Sequence, residues 1–142
     1  MSPYTGVAPC DDPTVMAWEV ANEPRPAGGP AASPPDGASF KAWLRSAAAV
    51  LKAAAPRQLV ASGMEGDTGD VSLAQAMLIS QDVPEIDVLT AHVWPQNFEW
   101  LLSPGDASSD AYALAAARAY LTAHAAYAAA LGKPLLVEEC AS

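Results

Sequence analysis

The segment TVMAWEVANEP, residues 14–24, decides the fold of this chain. Its first eight residues are rich in β-branched and bulky apolar side chains, and a turn-forming Asp-Pro pair precedes them, which predicts a strand. The run ends at the polar pair Asn22 and Glu23, and a Pro- and Gly-rich loop follows over residues 24–37. A strand that is apolar along its length is typical of a parallel sheet with helices on its faces.

Helical and strand-like patterns alternate downstream of this segment. Residues 39–55 repeat apolar side chains at the helical period, which predicts an amphipathic helix with Ser39 as its N-cap and Pro56 as its stop. Further apolar runs predict strands at 58–62, 86–92 and 134–137, and helical patterns between them predict a weaker helix at 73–80 and a long helix at 110–131. The order β-α-β-α-β-α-β predicts the α/β class.

One face of the long helix carries two aromatic residues and a histidine. Tyr120, His124, Tyr127 and Leu131 follow one another at helical spacing, and Gly132 is placed to end the helix. We interpret His124 as a packing residue of this face rather than as a ligand.

The composition narrows the class of protein. The chain has 142 residues, is 51% hydrophobic and carries 7 basic against 16 acidic residues, so its formal net charge is -9. This length and apolar content suit one domain, and no apolar stretch approaches the roughly 18 residues of a membrane span. The acidic balance argues against nucleic acid and anionic membrane surfaces as partners. Cys10 and Cys140 allow at most one bridge, and we interpret both as unpaired thiols.

Polar side chains follow the four predicted strands. They are Asn22 and Glu23, then Glu65, then His92 and Trp94, and finally Glu138 and Glu139. Because ligands of parallel α/β folds bind outside the carboxyl ends of the strands, these side chains predict one shared site. Retaining glycoside hydrolysis needs an acid and a nucleophile on one rim, and Glu23 and Glu139 are the candidates. Trp94, and after it Trp18 and Trp100, are candidates for flat surfaces that meet sugar rings.

Four segments carry a family resemblance. Residues 12–25, DPTVMAWEVANEPR, resemble the strand-four segment of glycoside hydrolase family 5, in particular that of its endo-β-1,4-mannanases. SGMEG at 62–66, DVLTAHVWPQNF at 87–98 and KPLLVEE at 133–139 are similar to the segments of strands five, six and seven, in family order. The resemblance implies an α/β chain that is part of a (β/α)8 TIM barrel, strands four to seven, and makes residues 1–142 a partial catalytic domain.

The resemblance also implies an activity. It implies a retaining mannan endo-1,4-β-mannosidase that cleaves β-1,4 bonds of mannan-type polysaccharides. Residues that match the family motifs are the acid/base Glu23, its sugar-contacting neighbour Asn22, the nucleophile Glu139, the flanking His92 and Trp94, and the cleft residue Glu65. We expect no cofactor and no metal, since the other acidic residues are not set at metal-ligand spacing, and neither nucleic acid nor a membrane as partner.

Several alternatives stay open. The family usually follows its nucleophile with an aromatic residue and a glycine, whereas Cys140 stands here, so Glu138 is an alternative nucleophile. A cellulase or another β-glucan hydrolase of the same family is the alternative enzyme. A truncated, non-catalytic sugar-binding remnant is the alternative of another class, because four strands make only half of an eight-stranded barrel.

Location and association are predicted less directly. The N-terminus lacks the basic and apolar regions of a secretory signal, so the chain itself predicts no location. The resemblance implies an extracellular or periplasmic one. The unpaired sheet edges of a half barrel favour self-association.

Overall fold

The computed structural model describes residues 1–25, 38–67 and 81–140. The described elements are the 3-10 helix Pro9–Asp11, the strands β1 (Ala17–Glu19), β2 (Leu59–Ala61), β3 (Leu89–Val93) and β4 (Leu135–Cys140), and the helices α1 (Ala38–Ala54) and α2 (Ala107–Leu131). The predicted helix at 73–80 and the predicted loop beyond residue 25 lie outside the described residues.

The strands pair in parallel and in chain order. β1 pairs with β2, β3 pairs with β4, and an isolated parallel bridge from Ala61 to Val88 links the two pairs. The spatial order is therefore β1-β2-β3-β4, which confirms the predicted α/β class with parallel strands. The carboxyl ends of all four strands lie at one edge, and the predicted site residues lie within the last residues of the strands or beyond them.

All four strands have bounds that differ from the prediction: β2 is shorter than 58–62, and β3 starts later than the predicted run at 86–92 and ends at Val93. β1 is shorter than the predicted run at 14–21, because only Ala17–Glu19 has ladder partners on β2. β4 is longer than the predicted run at 134–137 and continues to Cys140, so Glu138 and Glu139 lie within the strand rather than after it. This extension brings both glutamates beside β3.

Helix α1 covers one part of the sheet with a narrow apolar face. Phe40, Leu44 and Ala48 are buried at a spacing of four residues and pack with residues of β2 and of the segment before β3. The cluster consists of these three together with Val60, Met64, Val83 and Ile86. Ser39 lies inside the first turn rather than at the N-cap, and Trp43, from the predicted apolar face, is exposed.

Helix α2 packs beside β3 and β4 and has well-defined ends. The side chain of Asp106 accepts hydrogen bonds from the backbone of Ser108 and Ser109, and Gly132 ends the helix in the left-handed conformation. The buried face is Ala113, Tyr120, His124 and Ala128. The interpretation of His124 as a packing residue is confirmed, while Tyr127 is exposed.

Both cysteines are free thiols, and Cys140 is exposed at the end of β4. Within the described ranges, no helix combines the length and apolar character needed to cross a membrane.

Candidate active site

Glu23 lies just beyond β1 in an unusual backbone conformation. Its φ is 45°, in the left-handed region that residues other than glycine rarely adopt. Its backbone N–H donates to the carbonyl of Gly63 at 2.8 Å, so the loop after β2 holds it in place. Such a strained conformation persists only where the surrounding structure holds it, and residues of this kind cluster at active sites.

Gly63 allows this loop to approach the end of β1. A Cβ at this position would lie 1.9 Å from the carbonyl oxygen of Ala21, and its φ of 71° is left-handed as well. Any larger residue would separate the loop from β1. Glycine is therefore required for the contact that places Glu23.

His92 is the centre of the site. Its side chain is 1% exposed, and Nδ1 lies 2.9 Å from Oε1 of Glu23 and 3.5 Å from Oε2 of Glu139. The other ring nitrogen, Nε2, lies 3.4 Å from Oε2 of Glu138. Burial by itself lowers the pKa of His92, but the hydrogen bonds to Glu23 and Glu138 and the charge of Glu139 raise it above its ordinary value overall.

An irregular register in the β3–β4 ladder explains why two consecutive glutamates meet one histidine. Ala91 is opposite Val137, but His92 is opposite Glu139, so the ladder skips Glu138 in the manner of a β-bulge. Successive residues of a regular strand point to opposite faces. The irregularity lets the side chains of Glu138 and Glu139 both reach the ring of His92.

Glu139 and Glu138 have different surroundings. Glu139 is 35% exposed, and its Oε2 accepts a hydrogen bond from the indole Nε1 of Trp94 at 3.0 Å. Glu138 is 11% exposed. Burial, followed by the facing carboxyl of Glu19, raises the pKa of Glu138 to about 7 against the opposite effect of His92.

Glu65 lies beside this group on the loop after β2. It is 3% exposed and forms an ion pair with Arg25. Burial raises the pKa of Glu65, while the guanidinium of Arg25 opposes the shift. Its backbone carbonyl accepts hydrogen bonds from the N–H of His92 at 2.9 Å and from the hydroxyl of Tyr120. The loop is thereby tied to both β3 and α2.

A carboxylate oxygen of Glu23, one of Glu139 and a nitrogen of His92 all lie within 4.8 Å of one another. These distances would suit contact with a cation as well. Among the three groups, Glu23 is hydrogen-bonded to Nδ1 of His92 and Glu139 lies 3.5 Å from the same nitrogen. The absence of a metal stays a prediction.

Comparison with known proteins identifies the family of this chain. Residues 1–141 match the family model described as "GH family 5 beta-mannosidase-like". The chain belongs to glycoside hydrolase family 5. The predicted family resemblance is confirmed.

Named relatives of this family are similar over nearly the whole chain. Mannan endo-1,4-beta-mannosidase 1 of Oryza sativa subsp. japonica is 34% identical, and the match covers 95% of this chain and 32% of that protein. The family 5 mannosidase of Rhizomucor miehei has a TM-score of 0.74 at 26% identity, covering 96% of this chain and 29% of that one. The endo-1,4-beta-D-mannanase of Thermotoga petrophila RKU-1 has a TM-score of 0.70 at 26% identity, covering 95% and 39%.

The chain spans about a third of the length of the curated relatives it matches. In keeping with this share, the described residues form a partial α/β unit and no closed barrel. The prediction of a partial family 5 barrel is therefore confirmed.

Most of the predicted site residues lie close together. Glu23 is hydrogen-bonded to His92, and Glu139 is hydrogen-bonded to Trp94 and lies 3.5 Å from Nδ1 of His92. Glu65 adjoins them through its backbone carbonyl. Asn22 is exposed next to Glu23.

Two of the three tryptophans proposed as sugar platforms have other partners. Trp18 donates from Nε1 to Oε1 of Gln58 at 2.6 Å. Trp100 packs against Phe98 and Tyr120, so its ring belongs to an aromatic cluster.

Glu19, Arg25 and Tyr120 contact the site residues but were not predicted from the sequence. Glu19 gives a recognisable signal, because a carboxylate within an otherwise apolar strand needs a partner or a purpose. Arg25 forms an ion pair with Glu65, and the hydroxyl of Tyr120 donates to its backbone carbonyl. Both residues are distant from Glu65 in sequence, so the local sequence pattern does not indicate these contacts.

Proposed function

We propose that this chain carries the acid/base and the nucleophile of a retaining endo-β-1,4-mannanase, as a partial catalytic domain spanning residues 1–142. The observation that carries the proposal is the approach of Glu23 and Glu139, whose carboxylate oxygens lie within 4.8 Å across His92. Retaining glycosidases place their two carboxyl groups about 5–5.5 Å apart, whereas inverting enzymes leave room for a water between them. The mannanase names of the family 5 relatives support mannan as the substrate.

The proposed reaction has two displacements. Glu139 attacks the anomeric carbon, the glycosidic C–O bond breaks, and Glu23 gives its proton to the leaving oxygen. The ionised Glu23 then takes a proton from water, whose oxygen attacks the same carbon and releases Glu139. Two inversions restore the original β configuration.

The surroundings of the two neighbouring glutamates favour Glu139 over Glu138 as the nucleophile. Glu139 is the more exposed of the two and is held by the indole N–H of Trp94, which stabilises a carboxylate. Glu138 is nearly buried, and its pKa is raised, so it keeps a proton more readily. A nucleophile must be ionised at working pH.

The other site residues are proposed to position the sugar. Asn22 is exposed beside the acid/base and would contact the sugar next to the cleaved bond, and Trp94 would present its ring while its N–H holds Glu139. Glu65 would line the cleft. His92 would hold the two catalytic carboxylates in their relative positions.

The test is hydrolysis of β-1,4-mannan by the purified 142-residue chain, with Glu23→Gln and Glu139→Gln as variants. We expect reducing ends to appear with the unmodified chain and to fall by at least about 10³-fold in either variant. Glu99→Gln is the matched control, because Glu99 is exposed on the segment between β3 and α2. An NMR time course should show β-anomers first, and α-anomers first would refute the retaining mechanism.

Labelling separates Glu139 from Glu138. A 2-deoxy-2-fluoro-β-mannosyl fluoride should transfer its sugar to the nucleophile with loss of fluoride, and peptide mapping should find it on Glu139. Attachment to Glu138 would establish the alternative.

Mannan and carboxymethylcellulose should be compared side by side, because a cellulase of the same family differs mainly in sugar selection. We expect hydrolysis of mannan. Hydrolysis of carboxymethylcellulose alone would reverse the proposed substrate class. A polysaccharide substrate also supports an extracellular or periplasmic location, which fractionation of the native host would test.

A second candidate is a sugar-binding module without turnover. The absence of a closed barrel among the described residues favours it, because β1 and β4 are then paired on one side only. Titration calorimetry with mannohexaose, together with no release of reducing ends, would support this candidate. Open strand edges also favour self-association, and a monomeric mass in sedimentation would contradict that.

A further inference from the structure

Glu138 has no role in the proposed two-step reaction, although it lies within the site. Its Oε2 faces Nε2 of His92 at 3.4 Å, and its Oε1 is buried and lacks a hydrogen-bond donor within the described part of the chain. The carboxyl of Glu19 lies against it from β1. A nearly buried carboxyl beside a second carboxyl is costly, so its placement against His92 calls for a physical explanation.

We propose that Glu138 is a positioning residue that keeps His92 in its cationic form, hydrogen-bonded to Glu138 through Nε2 and to Glu23 through Nδ1. The role of this charge in catalysis rests on the proposed function, because His92 lies between the proposed acid/base and the proposed nucleophile. The charge state itself can be measured without any turnover.

The hydrogen-bond donors of the His92 ring depend on its charge. A neutral imidazole carries one N–H, so one of its nitrogens must present a lone pair. Both nitrogens of His92 face carboxylate oxygens, at 2.9 Å and 3.5 Å for Nδ1 and at 3.4 Å for Nε2. When Glu138 is ionised, only the imidazolium lets each nitrogen donate a hydrogen bond to a carboxylate.

The charges around His92 favour the same form. Carboxyl groups face it from the end of β1 and from β4, and Glu65 adds another from the loop after β2. Arg25 on the same side pairs with Glu65. Because His92 is 1% exposed, water screens these interactions little.

Glu138 differs from the other carboxyls in its position on the ring. Glu23 and Glu139 share Nδ1, and both are assigned to the chemistry, in which Glu23 changes its charge. Glu138 meets Nε2 from the far side and can remain there throughout a cycle. As the carboxyl of Glu138 ionises, its charge develops beside the ring and keeps His92 protonated to higher pH.

A cation at this point would help both proposed catalytic carboxylates. It attracts the carboxylate of the nucleophile Glu139, and it stabilises Glu23 after that residue has given up its proton. Loss of Glu138 should therefore weaken the effect without removing either reacting group.

The chain contains only two histidines, His92 and His124, so imidazole NMR resolves both without crowding. With ¹⁵N-labelled protein at pH 7, we expect both ring nitrogens of His92 to carry protons. In Glu138→Gln the midpoint of the His92 titration should fall by about one pH unit, a roughly tenfold loss of proton affinity. His124 serves as an internal control and should be unchanged, and Glu99→Gln should leave both histidines unchanged.

The His92 titration tests the proposal whether or not the chain hydrolyses mannan. A neutral His92 ring at pH 7 in the unmodified chain would overturn the proposal, as would equal His92 midpoints in the unmodified chain and in Glu138→Gln. If Glu138→Gln does not fold, Glu138→Asp and the unmodified chain supply the same readout. Absence of mannan hydrolysis would refute the proposed function alone, because the titration is measured independently.

Discussion

The two histidines of this chain are both buried but have opposite electrostatic environments. His92 on β3 is surrounded by carboxyl groups, and its pKa is raised. His124 on α2 is 2% exposed, and burial, the largest influence on it, lowers its pKa despite a hydrogen bond to Tyr120 and the charge of Asp67. Burial alone therefore does not decide the charge of a histidine.

The atoms at the two ring nitrogens explain the difference. Nδ1 of His124 donates to the carbonyl of Tyr120 at 2.8 Å, and Nε2 accepts the backbone N–H of Asp67 at 3.0 Å. One donor and one acceptor satisfy a neutral ring completely. His92 faces acceptors at both nitrogens, so one histidine ties a loop to a helix while the other concentrates charge.

The largest expected effect comes from adding a methyl group at Gly66, which contacts His124. In Gly66→Ala the new Cβ would lie 2.3 Å from the hydroxyl of Tyr120 and 2.5 Å from Nε2 of His124, at a φ of 97°. We expect a loss of about 3 kcal/mol in the free energy of unfolding, measured by urea denaturation. Gly105→Ala is the matched control, because it has a φ of 85° with nothing within 4 Å, and should cost about 1 kcal/mol. Equal losses would show that His124 is not tightly held.

A pH-dependent comparison of His92→Gln and His124→Gln should give the next largest effect. The raised pKa of His92 stabilises the fold below pH 6.5, and this contribution is lost as the pH rises through the raised value. The lowered pKa of His124 has the opposite sign, because its contribution is lost as the pH falls below 6.5.

His92→Gln should therefore destabilise more at pH 5 than at pH 8, and His124→Gln more at pH 8 than at pH 5, each by a difference of about 1 kcal/mol. Urea denaturation of the three proteins at both pH values measures this. The same sign of pH dependence in both variants would contradict the contrast between the two sites.

The smallest effect concerns the link between the two histidines. Tyr120 packs against His124, and its hydroxyl donates to the backbone carbonyl of Glu65. The same carbonyl also accepts a hydrogen bond from the backbone N–H of His92. Tyr120→Phe removes one neutral hydrogen bond and should cost about 1 kcal/mol in the free energy of unfolding. Tyr112→Phe, on the exposed side of α2, is the control and should cost nothing measurable. A loss as large as that of Gly66→Ala would mean that the hydroxyl holds the whole loop.

The order of the described elements and the grouping of Glu23, His92 and Glu139 were predictable, because both depend on patterns within short segments. Strand periodicity and polar strand ends are local, and parallel strands bring their carboxyl ends to one edge. The length of β4 was not predictable, since Glu138 and Glu139 extend the ladder only because β3 lies beside them.

Electrostatic roles were harder to predict than positions. The sequence offers two adjacent glutamates, and alternation predicts that they point to opposite faces. The skipped register places both at His92, a result of the pairing between two strands rather than of either strand alone. Likewise, Arg25 and Tyr120 support Glu65 from distant parts of the chain, so only the folded chain reveals them.

Because Glu138 is skipped in the ladder, substituting this residue and deleting it should have different effects on β4. Replacing Glu138 alters one side chain, whereas deleting it would remove the bulge and leave His92 opposite Glu139 in a regular ladder. Nε2 of His92 would then lose the carboxyl that faces it, while Trp94 and Glu139 would stay beside one another. One extra residue in this strand thus supplies a second carboxyl to His92 without changing which residue stands opposite it.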